Sequence, residues 1–176
     1  MTTSSLAESR SFLPSEPTGH PHCCLSISRG LIDLLGRILP PGPAITLSIG
    51  SGTGLLESLL AECNPHLRVE GVEAESSINE YIPEQNMHTV AGTWDLCSAA
   101  EEAEAWLFVY PKETKLIKTY LREYGNKEML KTIVWMGPRS DWQDYNLILK
   151  DFGNLEVYTG GNIVAEYETM AVLKKG

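Results

Sequence analysis

Thr46-Leu47-Ser48-Ile49-Gly50-Ser51-Gly52-Thr53-Gly54-Leu55-Leu56-Glu57 is the stretch that decides the fold. A short apolar strand, Ala44 to Ile49, runs into glycines at alternate positions. A helix predicted from Gly54 to Ala61 follows, with Leu55, Leu56, Leu59 and Leu60 on its buried side. Glycine suits such a loop for two reasons: the chain can turn sharply with positive φ, and its backbone can approach a ligand with no Cβ in the way. Doubly wound sheets bind ligands at turns of this kind, beyond the carboxyl end of a strand. The spacing then narrows the ligand. A dinucleotide fingerprint, G-x-G-x-x-G, needs glycine where this chain has Leu55 counting from Gly50, or Glu57 counting from Gly52. A Walker loop needs lysine after its last glycine, and none stands at that spacing. Both features disfavour a pyrophosphate ligand and nucleotide phosphoryl transfer.

Working outward, Leu25 to Leu39 reads as a helix that Pro40, Pro41, Gly42 and Pro43 stop. Leu67 to Val72 is the next strand, and Ser76 to Tyr81 begins a short helix ended by Pro83. Thr89 to Ala91 is a brief strand. Ala105 to Val109 is a continuous apolar run of the kind a strand buried on both faces shows. A helix from Lys112 to Tyr124 ends at Gly125, and Lys131 to Met136 is a strand closed by Gly137-Pro138. Leu155 to Tyr158 and Ile163 to Leu173 contain two last strands with Gly160-Gly161 between them, which suits an antiparallel hairpin. Strands alternating with helices predict an α/β fold: a Rossmann-like, doubly wound sheet, mainly parallel, with a C-terminal antiparallel hairpin. At 176 residues the chain fits one domain. Residues 1–19, rich in Ser, Thr, Glu and Pro, read as a flexible N-terminal tail, and residues 20–176 as the folded domain.

Composition excludes several classes of function. A net charge of −9 argues against a nucleic-acid partner, because phosphate binders carry a basic patch. The densest charge run, Glu101, Glu102 and Glu104, reads as a solvated segment. No apolar run approaches the roughly 18 residues that cross a bilayer, so no membrane partner is expected. The N-terminus lacks the apolar core of a secretion signal, which points to a cytoplasmic protein with reduced thiols. Adjacent Cys23 and Cys24 lack metal-gripping spacing, and despite His20 and His22 nearby no metal site is expected. The partners left are a small-molecule substrate or another protein; nothing in the sequence sets an oligomeric state.

The strand followed by G-x-G-x-G resembles motif I of the class I S-adenosylmethionine-dependent methyltransferases. A second landmark agrees: Val69-Glu70-Gly71-Val72-Glu73 supplies Glu73, 19 residues after Gly54, where the family has the carboxylate that holds the cofactor ribose. Two ribose hydroxyls can both donate to one carboxylate. In Val90-Ala91-Gly92-Thr93-Trp94-Asp95, Thr93, Trp94 or Asp95 stands where the family meets the adenine, with Trp94 able to stack on the base, and Trp94 can equally be a core residue. The resemblance, shared with uncharacterised fungal methyltransferase-like proteins, spans roughly Ile45 to Leu173. It implies S-adenosyl-L-methionine as cofactor, held by Gly50, Ser51, Gly52, Thr53, Gly54, Glu73, Thr93 and Trp94.

The chain also departs from the family. Ser48 replaces the acid often found within motif I, which removes a usual contact to the amino-acid end of the cofactor. Val109-Tyr110-Pro111-Lys112 stands where amino-methylating members carry [D/N]-P-P-[Y/F]. His66 and His88 read as structural or exposed. The segment from Trp135 to Tyr145 follows strand five at the carboxyl edge, where Tyr110 or Asp141 are the candidates for a base or an orienting group and Trp142 and Tyr145 for pocket walls. Core packing is the alternative for those aromatics. Two functions of different class follow: a methyltransferase acting on a small molecule, or an inactive methyltransferase-like binding or regulatory subunit.

Overall fold

The computed structural model describes residues 12–176. A hairpin opens it, with β1 (Thr18–His20) antiparallel to β2 (Cys23–Ile27). Helix α1 (Arg29–Ile38) follows, so Leu25 to Ile27 are strand where a helix was expected. The cause is local. Leu31 N–H donates to the Ser28 hydroxyl at 3.0 Å, and this side-chain cap fixes the helix start at residue 29. Within the stretch expected as a tail, Leu13 is buried in the core, and the carbonyl of Pro14 accepts from Arg29 N–H at 2.8 Å. Residues 1–11 lie outside the described residues.

Strand β3 (Ile45–Ile49) enters the glycine loop, and α2 (Leu55–Cys63) leaves it. The chain continues through β4 (Arg68–Glu73), β5 (Met87–Thr89), β6 (Ala105–Val109), α3 (Thr114–Tyr124), β7 (Thr132–Pro138), α4 (Trp142–Leu149), β8 (Asn154–Thr159) and β9 (Glu168–Lys174). Seven strands form one sheet in the order β5-β4-β3-β6-β7-β9-β8. Six run in one direction, and β9, between β7 and β8, runs against them. The β8–β9 hairpin is as expected, although β9 begins at Glu168, later than Ile163. Strand β5 lies two residues earlier than its expected place at Thr89. Helix α4 was not anticipated; Trp142, Tyr145 and Leu149 nevertheless sit three and four apart on its inner face.

Both faces of the sheet are covered, which explains the continuous apolar strands. Leu107 and Val134 face α1 and α2, where Leu31, Leu35, Leu56 and Leu60 pack. Trp106, Phe108, Ile133 and Trp135 face α3 and α4, against Ile117, Tyr120, Tyr145 and Leu149. Trp106, Phe108 and Tyr120 meet edge to face with centroids 5.7–6.3 Å apart. From β3 the chain winds outward to β4 and β5, then returns to place β6 on the other side of β3. The order therefore reverses between β3 and β6, and a crevice opens beyond their carboxyl ends.

Candidate functional site

Three glycines shape the wall of that crevice. Gly50, Gly52 and Gly54 have φ of 81°, 58° and 81°, the left-handed region that side chains disfavour. The N–H groups of Gly50 and Ser51 both donate to the Val72 carbonyl, at 2.9 and 3.1 Å, which moors the loop to β4. The glycines are not equivalent. A Cβ at Gly50 or Gly52 would meet nothing within 4 Å. At Gly54 it would fall 2.5 Å from the Ile82 side chain and 2.8 Å from Asn79 Oδ1. Gly54 thus packs against protein and starts α2, lining neither hollow beside the loop, whereas Gly50 and Gly52 border open space.

That space is a cavity of about 440 Å³. Ile49, Gly50, Gly52 and Glu73 form one side, Val90, Thr93, Trp94 and Asp95 another, and Tyr110, Lys112 and Leu116 the third. Glu73, at the end of β4, accepts from Gly52 N–H at 2.8 Å through Oε2 and from Ala74 N–H at 3.3 Å through Oε1. Its carboxylate and the glycine loop are therefore one unit. Trp94 is half-buried, its ring 5.6 Å from the Lys115 ammonium. The structure brings Gly50, Gly52, Glu73, Thr93 and Trp94 together around this one cavity.

A second compartment of about 430 Å³ lies on the other side of the loop and shares Cys24, Gly50, Gly52, Ile78 and Val109 with the first. Ser51, Thr53 and Glu57 line it, with His22, Cys23 and Cys24 of the β1–β2 hairpin. The Thr53 hydroxyl donates to the His22 carbonyl at 2.5 Å, and the His22 ring contacts the Tyr81 hydroxyl at 2.7 Å. The hairpin is thereby tied across the loop. Glu57, on α2, is only 3 % exposed. The Ser48 hydroxyl donates to its Oε1 at 2.5 Å, and burial pushes the carboxyl up to about 7. Neither the hairpin nor Glu57 was anticipated. The available signal was an acid among Leu55, Leu56, Leu59 and Leu60, on the face a helix buries.

The two candidate bases fare differently. Tyr110 lines the first cavity with a φ of 48°, unusual for a residue with a side chain. Its hydroxyl donates to Glu168 Oε1 at 2.8 Å, and burial together with that carboxylate raises its pKa far above the tyrosine range. Its one proton is thus engaged by Glu168, and the hydroxyl stays protonated at neutral pH. Asp141 does not line either compartment; it sits in the turn Arg139–Asp141 and accepts from the Ser140 hydroxyl at 3.1 Å. Trp142 and Tyr145 do not wall the pocket either. They pack on Trp135 with centroids 5.2 and 5.0 Å away, and the Tyr145 hydroxyl donates to the Pro111 carbonyl at 2.7 Å. The onset of α4 thus turns Trp142 and Tyr145 inward, while Arg139, Ser140, Gln143 and Asp144 stay exposed. His66 contacts the Gly36 carbonyl and His88 pairs with Glu70, both away from the crevice. Among the described residues, no three His, Cys, Asp or Glu side chains gather as metal ligands, and no helix is long and apolar enough to cross a membrane.

No family model and no curated protein sequence matches the chain. Solved structures do. Precorrin-6y C5,15-methyltransferase from Geobacter metallireducens superposes with a TM-score of 0.61 at 12 % identity, covering 90 % of this chain and 93 % of that one. A SAM-dependent methyltransferase from Aquifex aeolicus gives 0.57 at 14 % identity, over 80 % and 87 %. A chain of the E. cuniculi Mtq2–Trm112 complex, responsible for methylating the termination factor eRF1, gives 0.57 at 15 % identity, over 83 % and 93 %. The fold is that of the class I methyltransferases. Relative to a Rossmann sheet of order 3-2-1-4-5-6, this methyltransferase fold inserts one antiparallel strand, here β9, beside the last. The glycine loop, Glu73 and the segment holding Thr93 and Trp94 end the first, second and third parallel strands of that order.

Proposed function

We propose that the cavity beside the glycine loop binds S-adenosylmethionine, and that the chain transfers the cofactor's methyl group to a small-molecule acceptor. One observation carries this reading: Gly50 and Gly52 open onto a cavity rimmed by the Glu73 carboxylate and the Trp94 ring. The residues present fit the cofactor. A Cβ at either glycine would fill the space an adenosyl group needs. Glu73 offers two oxygens to two ribose hydroxyls, and Trp94 offers an aromatic face to a purine.

When bound, the sulfonium supplies an electrophilic methyl group, so little acid-base machinery is needed. The chain's residues then act mainly by position. Glu73 and the loop fix the sugar, and the Tyr110 hydroxyl, its one proton engaged by Glu168, stands at the carboxyl end of β6 as a fixed hydrogen-bond acceptor beside the acceptor space. Orienting two reactants in a walled crevice can supply much of the rate by itself. The concave, partly apolar site favours a small acceptor over a broad macromolecular surface.

A second reading is a methyltransferase-like subunit that binds the cofactor without turnover. It draws on the Tyr110 hydroxyl being engaged by Glu168 and on Asp141 lying outside both compartments. Calorimetry with S-adenosylmethionine and S-adenosylhomocysteine tests both readings at their root, and no heat from either at millimolar ligand refutes the cofactor site. Gly52→Val places a branched side chain in the cavity and is expected to abolish binding, with circular dichroism confirming the fold. Incubating the protein with tritiated-methyl cofactor and a metabolite extract then separates the readings. Label in small molecules supports the enzyme; binding with no label transferred supports the subunit.

A further inference from the structure

Glu57 is a buried carboxylate whose hydrogen-bond partner is a neutral serine, and no basic side chain among the described residues stands within ion-pair distance. The acidic group that acts on it is Glu73, which adds repulsion. Such a group is costly to keep ionised in a folded protein unless a cation pairs with it. Glu57 lines the second compartment, next to the glycine loop and under the turn of the β1–β2 hairpin. An adenosyl group lodged between Glu73 and Trp94 would place the rest of the cofactor past Gly50 and Gly52, which both compartments share. The part that arrives there is an α-amino acid, whose ammonium is a cation.

We propose that Glu57 is the counter-charge for the ammonium group of the cofactor's amino-acid end, supplied from α2 because β3 carries Ser48 where an acid would otherwise stand. The inference rests on the cofactor reading above and deepens it. Ser48 is completely buried, and its hydroxyl points into Glu57 rather than into the compartment. The serine orients the carboxylate, and the carboxylate meets the ligand. Burial has raised Glu57 towards neutrality in the free protein, and an arriving ammonium stabilises the ionised form, so site and ligand compensate one another's desolvation.

The test compares two ligands that share the nucleoside and differ in the amino-acid end: S-adenosylhomocysteine, which has it, and 5′-methylthioadenosine, which lacks it. Affinities are measured by calorimetry on wild type and Glu57→Gln. The substitution is expected to weaken S-adenosylhomocysteine by about tenfold or more, the usual consequence of losing a charged hydrogen-bond partner. It should leave 5′-methylthioadenosine within about twofold, and that retained binding also shows the folded pocket is intact. Equal weakening of both ligands, or none of either, overturns the role of Glu57. If wild type binds neither ligand, the cofactor reading falls and the role of Glu57 with it.

Discussion

Single residues carry the sharpest consequences here, because two of them hold energetically unfavourable positions. The first is Glu57. Its carboxyl is raised to about 7 in the folded chain, from an ordinary value of 4.5, by burial, while Ser48 pulls the other way and Glu73 adds repulsion. Cys23, beside it on β2, is itself pushed up to about 11 and stays a neutral thiol. The folded state therefore holds a proton on Glu57 that the unfolded state gives up. This contribution to stability is fully present below about pH 4.5 and is lost as pH rises through 7, a loss on the order of 3 kcal/mol. Glu57→Gln should unfold at nearly the wild-type denaturant concentration at pH 5 and at a clearly higher one at pH 8. An unchanged gap between the variants at the two pH values would show that Glu57 titrates normally. The second is Gly54, whose Cβ would overlap Ile82 and Asn79 at a φ of 81°. Gly54→Ala is expected to cost about 1–3 kcal/mol from strain alone. Its effect should appear in stability first, unlike that of Gly52→Val, which should appear in ligand binding. Gly52 and Glu73 were legible as residues because a loop's geometry and a strand's end are local. Glu57 was not, since an acid in a helix is usually solvent-facing, and this one is enclosed with Ser48 of β3 beside the distant β1–β2 hairpin.

Elements show the same division between local and distant causes. The strand, glycine loop and helix from Ile45 to Cys63 could be read directly, since period, turn chemistry and helix start all lie within one short segment. Helix α1 could be found but not its start: Leu25 and Ile27 fit a helical stripe, and only the Ser28 cap separates strand from helix. The place of Asp141 outside both compartments was out of reach because α4 begins at Trp142 and packs Trp142 and Tyr145 on Trp135. The hydrogen bond of Tyr110 was out of reach because its partner, Glu168, lies 58 residues away. Ser28 makes the element-scale argument testable. Its hydroxyl caps α1 by accepting from Leu31 N–H at 3.0 Å and donates to the Asn162 carbonyl at 2.7 Å, joining the helix start to the β8–β9 loop. Ser28→Ala removes both contacts at a fully buried site and should cost about 2 kcal/mol in urea unfolding. A loss below about 0.5 kcal/mol would mean the cap is dispensable and the proline run alone frames the helix.

For the whole molecule, charge and topology act together on the ligand. The sheet reverses at β3 and β6, which places the crevice at the carboxyl ends of strands, and the chain carries a net charge of −9. Around the first cavity the charged groups are Glu73, Glu75, Asp95 and Glu113 against Lys112, so the local field shares the sign of the global one. A crevice lined by one sign of charge concentrates ligands of the other, and salt screens that attraction over about 10 Å at 0.1 M. S-adenosylmethionine carries one more positive charge than S-adenosylhomocysteine, at the sulfonium itself, and the two are otherwise nearly superposable. The acidic crevice should therefore favour the methyl donor over the spent product at low ionic strength. Raising salt from about 20 to 500 mM is expected to weaken the donor several-fold while shifting the product little. Equal salt slopes for the two ligands would show that the acidic residues at the rim are too solvated to discriminate, and that selection between donor and product rests on contacts at the sulfur alone.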